Sequence, residues 1–405
     1  MIGVEAALAA VLERTPLLAS ERVPLRQALG RVLREAAVAD VDLPPFERSA
    51  MDGFALRAAD AVGPVELRIA GERRAGQDAG DALEPGCAVR IMTGAPLPPG
   101  ADAVEPVEKV RLERERWVGV AGPVAAGSHV AHRGSEVRAG SRVLEPGTRI
   151  DPAAVAVLAT VGCAEVPVGL RPRVALLVTG DELVDVSEKP AGGRIRNANG
   201  FAVEQQVLRA GGLPESLGIA PDDRAALAAA MRPGLRADVL IVSGGVSAGD
   251  YDLVEDVFSE LGVEVVFDAV SVKPGKPVVF GRTASTLVFG LPGNPVSAQV
   301  TFELFVRPAL LRMQGQRSLA RPTLTALTRA PLANRSRRQA HLPARIRTDG
   351  ERIVADPIPS RGSADVVAHA RANALIVLAA DQREVPAGSR VPALLLDSFL
   401  DGWES

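Results

Sequence analysis

Four short segments carry residue types suited to an anionic or phosphorylated ligand. The run Ser243-Gly244-Gly245-Val246-Ser247-Ala248-Gly249-Asp250 offers backbone N–H groups unobstructed by large side chains, which lets a loop cradle phosphate oxygens. Pro292-Gly293-Asn294-Pro295 leads into a helical pattern and would bring the positive end of a helix to the same ligand. Thr179-Gly180-Asp181-Glu182 supplies a carboxylate at Glu182, and Asp250 and Asp252 add two more; hard oxygen donors of this kind hold Mg²⁺ across phosphates. Lys273-Pro274-Gly275-Lys276-Pro277 supplies two ammonium groups. Only four of the 46 basic residues are lysines, so two in one pentapeptide point to a flexible point charge that a guanidinium does not replace. Singly, a glycine-rich loop after a strand is more often a tight turn, and a carboxylate before a helix more often a cap. Together they describe a Mg²⁺-dependent phosphate or nucleotide site, and residue chemistry alone stops at an enzyme acting on a phosphoanhydride.

Such a site needs a parallel sheet, because βα loops converge beyond the carboxyl ends of parallel strands. Residues 174–178, 217–219, 239–242 and 287–289 read as strands, and 199–208, a stretch from Asp222 at an N-cap position, and 296–313 read as helices. That alternation predicts a doubly wound, mostly parallel α/β domain over 173–316. Earlier in the chain, residues 4–12 and 25–33 repeat apolar positions at helical spacing, which predicts two short amphipathic helices. Residues 41–150 alternate in short stretches punctuated by Gly and Pro, and the pattern returns after Arg321. The expected fold is a multidomain α/β chain: a composite linking domain with helical and extended parts (1–50 with 138–172), a small β domain (51–137), the doubly wound domain, and a C-terminal β domain (317–405).

At ~150 residues per domain, 405 residues correspond to roughly two to four domains. A net charge of −3 and 3% aromatic residues provide neither the basic excess nor the stacking platforms of a nucleic-acid binder. No apolar run approaches the ~18 residues of a membrane span, and Glu5 interrupts an N-terminus without a basic flank, so neither a span nor a signal peptide is expected. Cys87 and Cys163 form no CxxC pair, and a reducing cytoplasm is the expected compartment. His129 and His132, with no cysteine nearby, read as surface histidines rather than zinc ligands.

Read together, the segments resemble the molybdopterin molybdenumtransferase family, the bacterial MoeA proteins and the E domain of gephyrin, over essentially the whole chain. DLPPF at 42–46 and SAMDGFA at 49–55 match the family's DLPPF…SAMDGYA signature. TGAP at 93–96, TGDEL at 179–183, the 243–249 loop, KPGKP at 273–277 and LPGNPVSA at 291–298 follow in the family's order. The resemblance implies conversion of adenylylated molybdopterin plus molybdate to Mo-molybdopterin, with release of AMP. It implies catalytic roles for Asp52, Glu136, Glu182, Asp222 and Asp252, and Mg²⁺ held by Glu182, Asp250 and Asp252. It implies substrate binding by Thr93, Ser243, Gly244, Gly245, Ser247, Lys273, Lys276, Pro292, Asn294 and Ser363. It further implies a homodimer in which Asp52 and Thr93 reach the crevice from the partner subunit, and contacts with other molybdenum-cofactor biosynthesis proteins. By residue type alone Asp52 is a turn residue and Thr93 caps the turn before Pro96.

The chain departs from the family pattern in three places. Gly134-Ser135-Glu136-Val137 stands where the family commonly has Gly-Glu-Asp-Ile. Arg337, Arg338 and Arg345 all compete for the family's C-terminal arginine near molybdate. Ser363 matches a family serine, and Ala364 replaces its neighbour. Two alternatives remain: the adenylyltransferase of the same pathway, which resembles the doubly wound domain alone, and a non-catalytic scaffold related to the gephyrin E domain.

Overall fold

The computed structural model describes residues 1–246 and 253–396, so Ser247, Asp250 and Asp252 lie outside the described residues. At its centre is a six-stranded sheet in the order Leu213–Ala220, Arg173–Thr179, Val239–Ser243, Leu287–Leu291, Val279–Arg282, Glu264–Phe267. The first four strands run parallel, Val279–Arg282 runs against them, and Glu264–Phe267 pairs antiparallel with it. Side chains alternate across it: Val174, Leu176 and Ile241 enter one core, Ala175, Leu177 and Val242 the other. Helices Asn199–Arg209 and Pro295–Thr301 cover the first face, and Arg224–Gly234 and Leu253–Glu260 the second. Burial on both faces explains the continuous apolar runs of these strands.

Three expectations about helices change. The N-terminal helix Val4–Arg14 forms, but Ala7 and Val11 enter the core of the doubly wound unit rather than that of the linking segment. No helix forms over 25–33. Leu25–Gln27 is a single 3-10 turn between Pro24 and Gly30, the latter at φ +77, while Val32 and Leu33 bridge to Arg149 and Val168. Leu29 is accordingly 61% exposed and Leu33 buried. The helix over 296–313 is interrupted by a π turn at Phe302–Val306 before Arg307–Gln314. Pro308 cannot donate to the preceding turn and would crowd it, and a wider turn relieves both problems.

Residues 20–24 and 165–169 pair antiparallel and, with Ile150 and Leu158, share one small core. A second six-stranded sheet, built around Gly53–Leu56 and Cys87–Ile91, carries its own core of Phe54, Leu56 and Leu67. The C-terminal strands close on themselves: Gln339–Asp349 pairs with both Arg352–Pro357 and Ala374–Leu378, and Arg390–Leu395 completes the circuit through Thr323–Thr328. Closure leaves few free strand edges, and the two-residue strand Val272–Lys273 of the α/β unit is added to one of them. Buried Glu303 ties this barrel to the α/β unit, accepting from Arg321 Nε at 2.8 Å and from Gln206 Nε2 at 3.0 Å. Among the described residues no helix is long and apolar enough to cross a membrane.

Candidate active site

A cavity of about 570 Å³ opens beyond the carboxyl ends of Arg173–Thr179, Val239–Ser243 and Leu287–Leu291. The three loops converge there through backbone geometry that only glycine satisfies. Gly244 has φ +109, and a Cβ on it would lie 2.4 Å from the Thr179 carbonyl oxygen. Gly245, at φ +61, would place one 2.7 Å from a Val254 methyl. Gly293 approaches the same turn, its notional Cβ 3.7 Å from the Gly244 Cα. Small residues here bring backbone close to backbone and leave the polar groups lining a cleft.

Two carboxylates line the cavity, in different states. Asp222 Oδ1 accepts from the buried Thr179 hydroxyl at 2.5 Å, and its own N–H donates to Asp181 Oδ1. The cap of the following helix is Asp223, which accepts from the Ala226 N–H at 2.9 Å, so the cap expected at Asp222 moves by one residue and Asp222 is left to the cavity. Glu182 makes no side-chain hydrogen bond or ion pair with the described residues, and its carboxylate folds over Gly180, where a Cβ would lie 2.5 Å from it.

Ser243, Gly244, Gly245, Pro292 and Asn294 also line the cavity. Asn294 occupies the cap position of Pro295–Thr301 but makes no side-chain cap bond. Lys273 and Lys276 do not line it. Pro277 does, and Lys276 is exposed beside it in sequence, its carbonyl accepting from Val270 and Val278. Ser363 contributes its carbonyl, which accepts from the Val296 N–H at 3.0 Å, while its neighbour Ala364 reaches the cavity wall. Of the three C-terminal arginines, Arg338 is joined to the lysine segment, donating from Nη1 to the Val272 carbonyl at 3.0 Å. Arg337 lines a separate cavity with Arg335 and Arg383.

Asp52, Thr93 and Glu136 do not line the cavity of their own chain. Asp52 Oδ1 accepts from both the N–H and the hydroxyl of Thr93, each at 2.7 Å. These two bonds, helped by the charge of Arg90, hold the exposed carboxyl below its usual range. Glu136 pairs with Arg48 at 2.9 Å, and Ser49 and Arg48 bond and bridge to Ala95 and Pro96 in the Thr93 loop, so all three residues lie toward one end of the small sheet's strands.

Two contributors were not foreseen. Asn199, buried at the start of its helix, donates to Ser243 Oγ at 2.9 Å and the Gly293 carbonyl at 2.8 Å, locking two of the loops together. A polar residue heading an amphipathic helix was its only signal. Arg196 is the one cation on the cavity lining among the described residues, and none of them bonds or pairs with its guanidinium. Nothing in its local sequence separates it from the chain's many other arginines.

No cluster of three or more His, Cys, Asp or Glu side chains suited to a metal occurs among the described residues. The donor chemistry nonetheless fits Mg²⁺, which keeps several waters and takes only one or two carboxylates beside substrate phosphates: among the described residues Glu182 has no partner and Asp222 has one oxygen free.

Family comparisons cover the same ground. The model described as the MoeA N-terminal region (domain I and II) matches residues 2–162, the probable molybdopterin binding domain 175–312, and the MoeA C-terminal region (domain IV) 325–396. The molybdopterin molybdenumtransferase of Bacillus subtilis (strain 168) is 35% identical over 390 residues, covering 93% of this chain and 90% of that protein. Molybdopterin molybdenumtransferase 2 of Mycobacterium tuberculosis (strain ATCC 25618 / H37Rv) is 40% identical over 331 residues, 78% of this chain and 81% of that protein. A crystal structure of the molybdopterin biosynthesis MoeA protein from Pyrococcus horikoshii superposes with a TM-score of 0.83 at 31% identity, over 100% of both chains. The chain belongs to the MoeA family, whose members include the molybdopterin molybdenumtransferases.

Proposed function

We propose that this protein is a molybdopterin molybdenumtransferase that cleaves adenylylated molybdopterin, releases AMP and transfers molybdenum from molybdate to the dithiolene. The observation that carries the reading is the joining of a carboxylate-bearing strand-end cavity to the N-terminal and C-terminal regions of the MoeA pattern. A single-domain adenylyltransferase would need only the α/β unit.

In this reading the amides of Gly244 and Gly245, with Ser243, Ser247, Pro292 and Asn294, hold the pterin phosphates. Lys273 and Lys276 attract the phosphates and molybdate as point charges at the mouth of the cavity. Glu182 with Asp250 and Asp252 would hold Mg²⁺, which offsets negative charge on the departing phosphate. Asp222 would accept a proton from an attacking water, a reading supported by its bond from the Thr179 hydroxyl, which orients it. The Ser363 loop closes one wall, and Arg338 positions the lysine segment. The partner subunit's Asp52, Thr93 and Glu136 complete the site in a homodimer. The same proposal includes the domain boundaries expected from sequence, a cytoplasmic location and handover contacts with other enzymes of cofactor biosynthesis.

The test is to incubate the protein with adenylylated molybdopterin, Mg²⁺ and molybdate and to follow AMP chromatographically. AMP release that requires both the cation and molybdate supports the insertase. Adenylylation of molybdopterin by ATP, with no AMP released from the adenylylated compound, would identify a transferase, and binding without turnover a scaffold.

A further inference from the structure

A second cavity, of about 400 Å³, lies between the linking segment and the doubly wound unit and shares no lining residue with the strand-end cavity. Arg31, Arg149 and Arg171 line it, and among the described residues no carboxylate does. Its walls are fixed by the backbone. The Gly30 N–H donates to the Ile150 carbonyl and the Ile150 N–H to the Arg31 carbonyl, which sets Arg31 beside Arg149. Gly211, at φ +83, packs so closely on buried Gln314 that a Cβ would lie 2.5 Å from its side-chain oxygen.

The hydrogen bonding of the three guanidinium groups is incomplete. Arg171 donates from Nε to the Gly211 carbonyl at 2.9 Å and from Nη2 to the Gly212 carbonyl at 2.8 Å, both neutral acceptors that leave its charge uncompensated. Burial first, and then the charge of Arg31, lower the Arg171 pKa, so two like charges face each other across a partly desolvated space. Arg31 is 14% exposed and shares Nη2 between Glu21 and the Gly169 carbonyl, while its Nε is shielded from solvent with no acceptor. Arg149 is exposed and makes no hydrogen bond or ion pair with the described residues. A purely structural role accounts for Arg171, which staples two carbonyls, but not for the orphan Nε of Arg31 or for Arg149. What the arrangement lacks is an anion with several acceptor oxygens, the partner that guanidinium forks match best.

We propose that this cavity binds a tetrahedral oxyanion, of the class of phosphate, sulfate and molybdate, between Arg31, Arg149 and Arg171. The inference does not depend on the proposed reaction.

The full chain would be titrated calorimetrically with sodium phosphate, sulfate and molybdate at low ionic strength, alone and with AMP present. Wild-type protein should take up an oxyanion in a binding event that Lys276→Ala retains and that Arg149→Gln weakens by at least about tenfold. Arg149→Gln removes no hydrogen bond or ion pair with the described residues, so its melting temperature without anion should match wild type. Oxyanion should raise the melting temperature of wild type and not of Arg149→Gln. Preference for molybdate would make the cavity a molybdate holding site, equal binding of all three a general oxyanion site, and competition by AMP a phosphomonoester site; each supports the proposal. Undiminished binding by Arg149→Gln, or no binding that survives Lys276→Ala, overturns it. A changed sedimentation coefficient in Arg149→Gln with anion binding intact also overturns it, and would assign the arginines to an acidic surface on a second copy.

Discussion

Glu182 and Asp222 face one cavity, but among the described residues only Asp222 has a side-chain partner, Thr179. An unheld carboxylate adds little to stability, so Glu182→Gln should leave the melting temperature unchanged. Loss of its charge should lower Mg²⁺-dependent AMP release at least about 100-fold in kcat. Activity retained by that variant removes Glu182 from the mechanism. Arg196 lines the cavity and its guanidinium makes no ion pair with the described residues, the position of a group that meets an anionic substrate rather than one that drives its chemistry. Arg196→Gln should therefore raise KM for adenylylated molybdopterin about tenfold while leaving kcat within about threefold, a split measured by steady-state kinetics.

At the scale of elements, the strand-to-loop junctions and the barrel strands each make a separable prediction. Gly244→Ala forces a Cβ toward the Thr179 carbonyl in a left-handed conformation, and should cost about 2 kcal/mol or more in urea unfolding. Because the displaced turn also lines the cavity, activity should fall with it. In the barrel, His341 is buried on Gln339–Asp349 with no acceptor at Nδ1, and burial lowers its pKa from 6.5 to about 4. Between those two values the unfolded chain binds the proton and the folded one does not. Stability should thus decline as pH falls from 6.5 to 4, by about 3 kcal/mol in all, with no contribution above that window. His341→Leu should flatten this part of the pH–stability profile, as urea titrations at successive pH values would register.

For the whole molecule the decisive question is whether Asp52, Thr93 and Glu136, which do not line the cavity of their own chain, serve that of a second subunit. Asp52, bound to Thr93, keeps its charge at any physiological pH and sits exposed toward one end of its sheet's strands. If that end closes the cavity of a second subunit, two separately inactive proteins, Asp52→Asn and Glu182→Gln, should complement when unfolded and refolded together. Random pairing makes half the dimers mixed, each with one intact site, so activity should recover to roughly one quarter of wild type. Absence of recovery despite mixed dimers would place both residues in the same subunit's site.

The sequence by itself determined the loops. TGDE, the glycine turn and LPGNP are contiguous and follow apolar runs that must be strands, so both their chemistry and their place at a sheet edge were legible, whereas KPGKP showed its charge but not its place. Continuous apolar runs alternating with helical patterns likewise identified the doubly wound unit, because strands buried on both faces have no freedom to be polar. Local pattern failed at 25–33, where the spacing 25, 29, 32, 33 suits a helix but Pro24 and Gly30 leave room for only one turn. It also set the cap at Asp222 instead of Asp223, since both residues are of the capping type and only the approach of Thr179 separates them. Tertiary structure alone decided that Asn199 locks two loops, that Arg196 reaches the cavity, and that Val272–Lys273 belongs to the edge of a barrel strand more than sixty residues further along. Each of those facts depends on a partner distant in the chain, and the free energy of such contacts comes from burial and pairing that no local window of sequence contains.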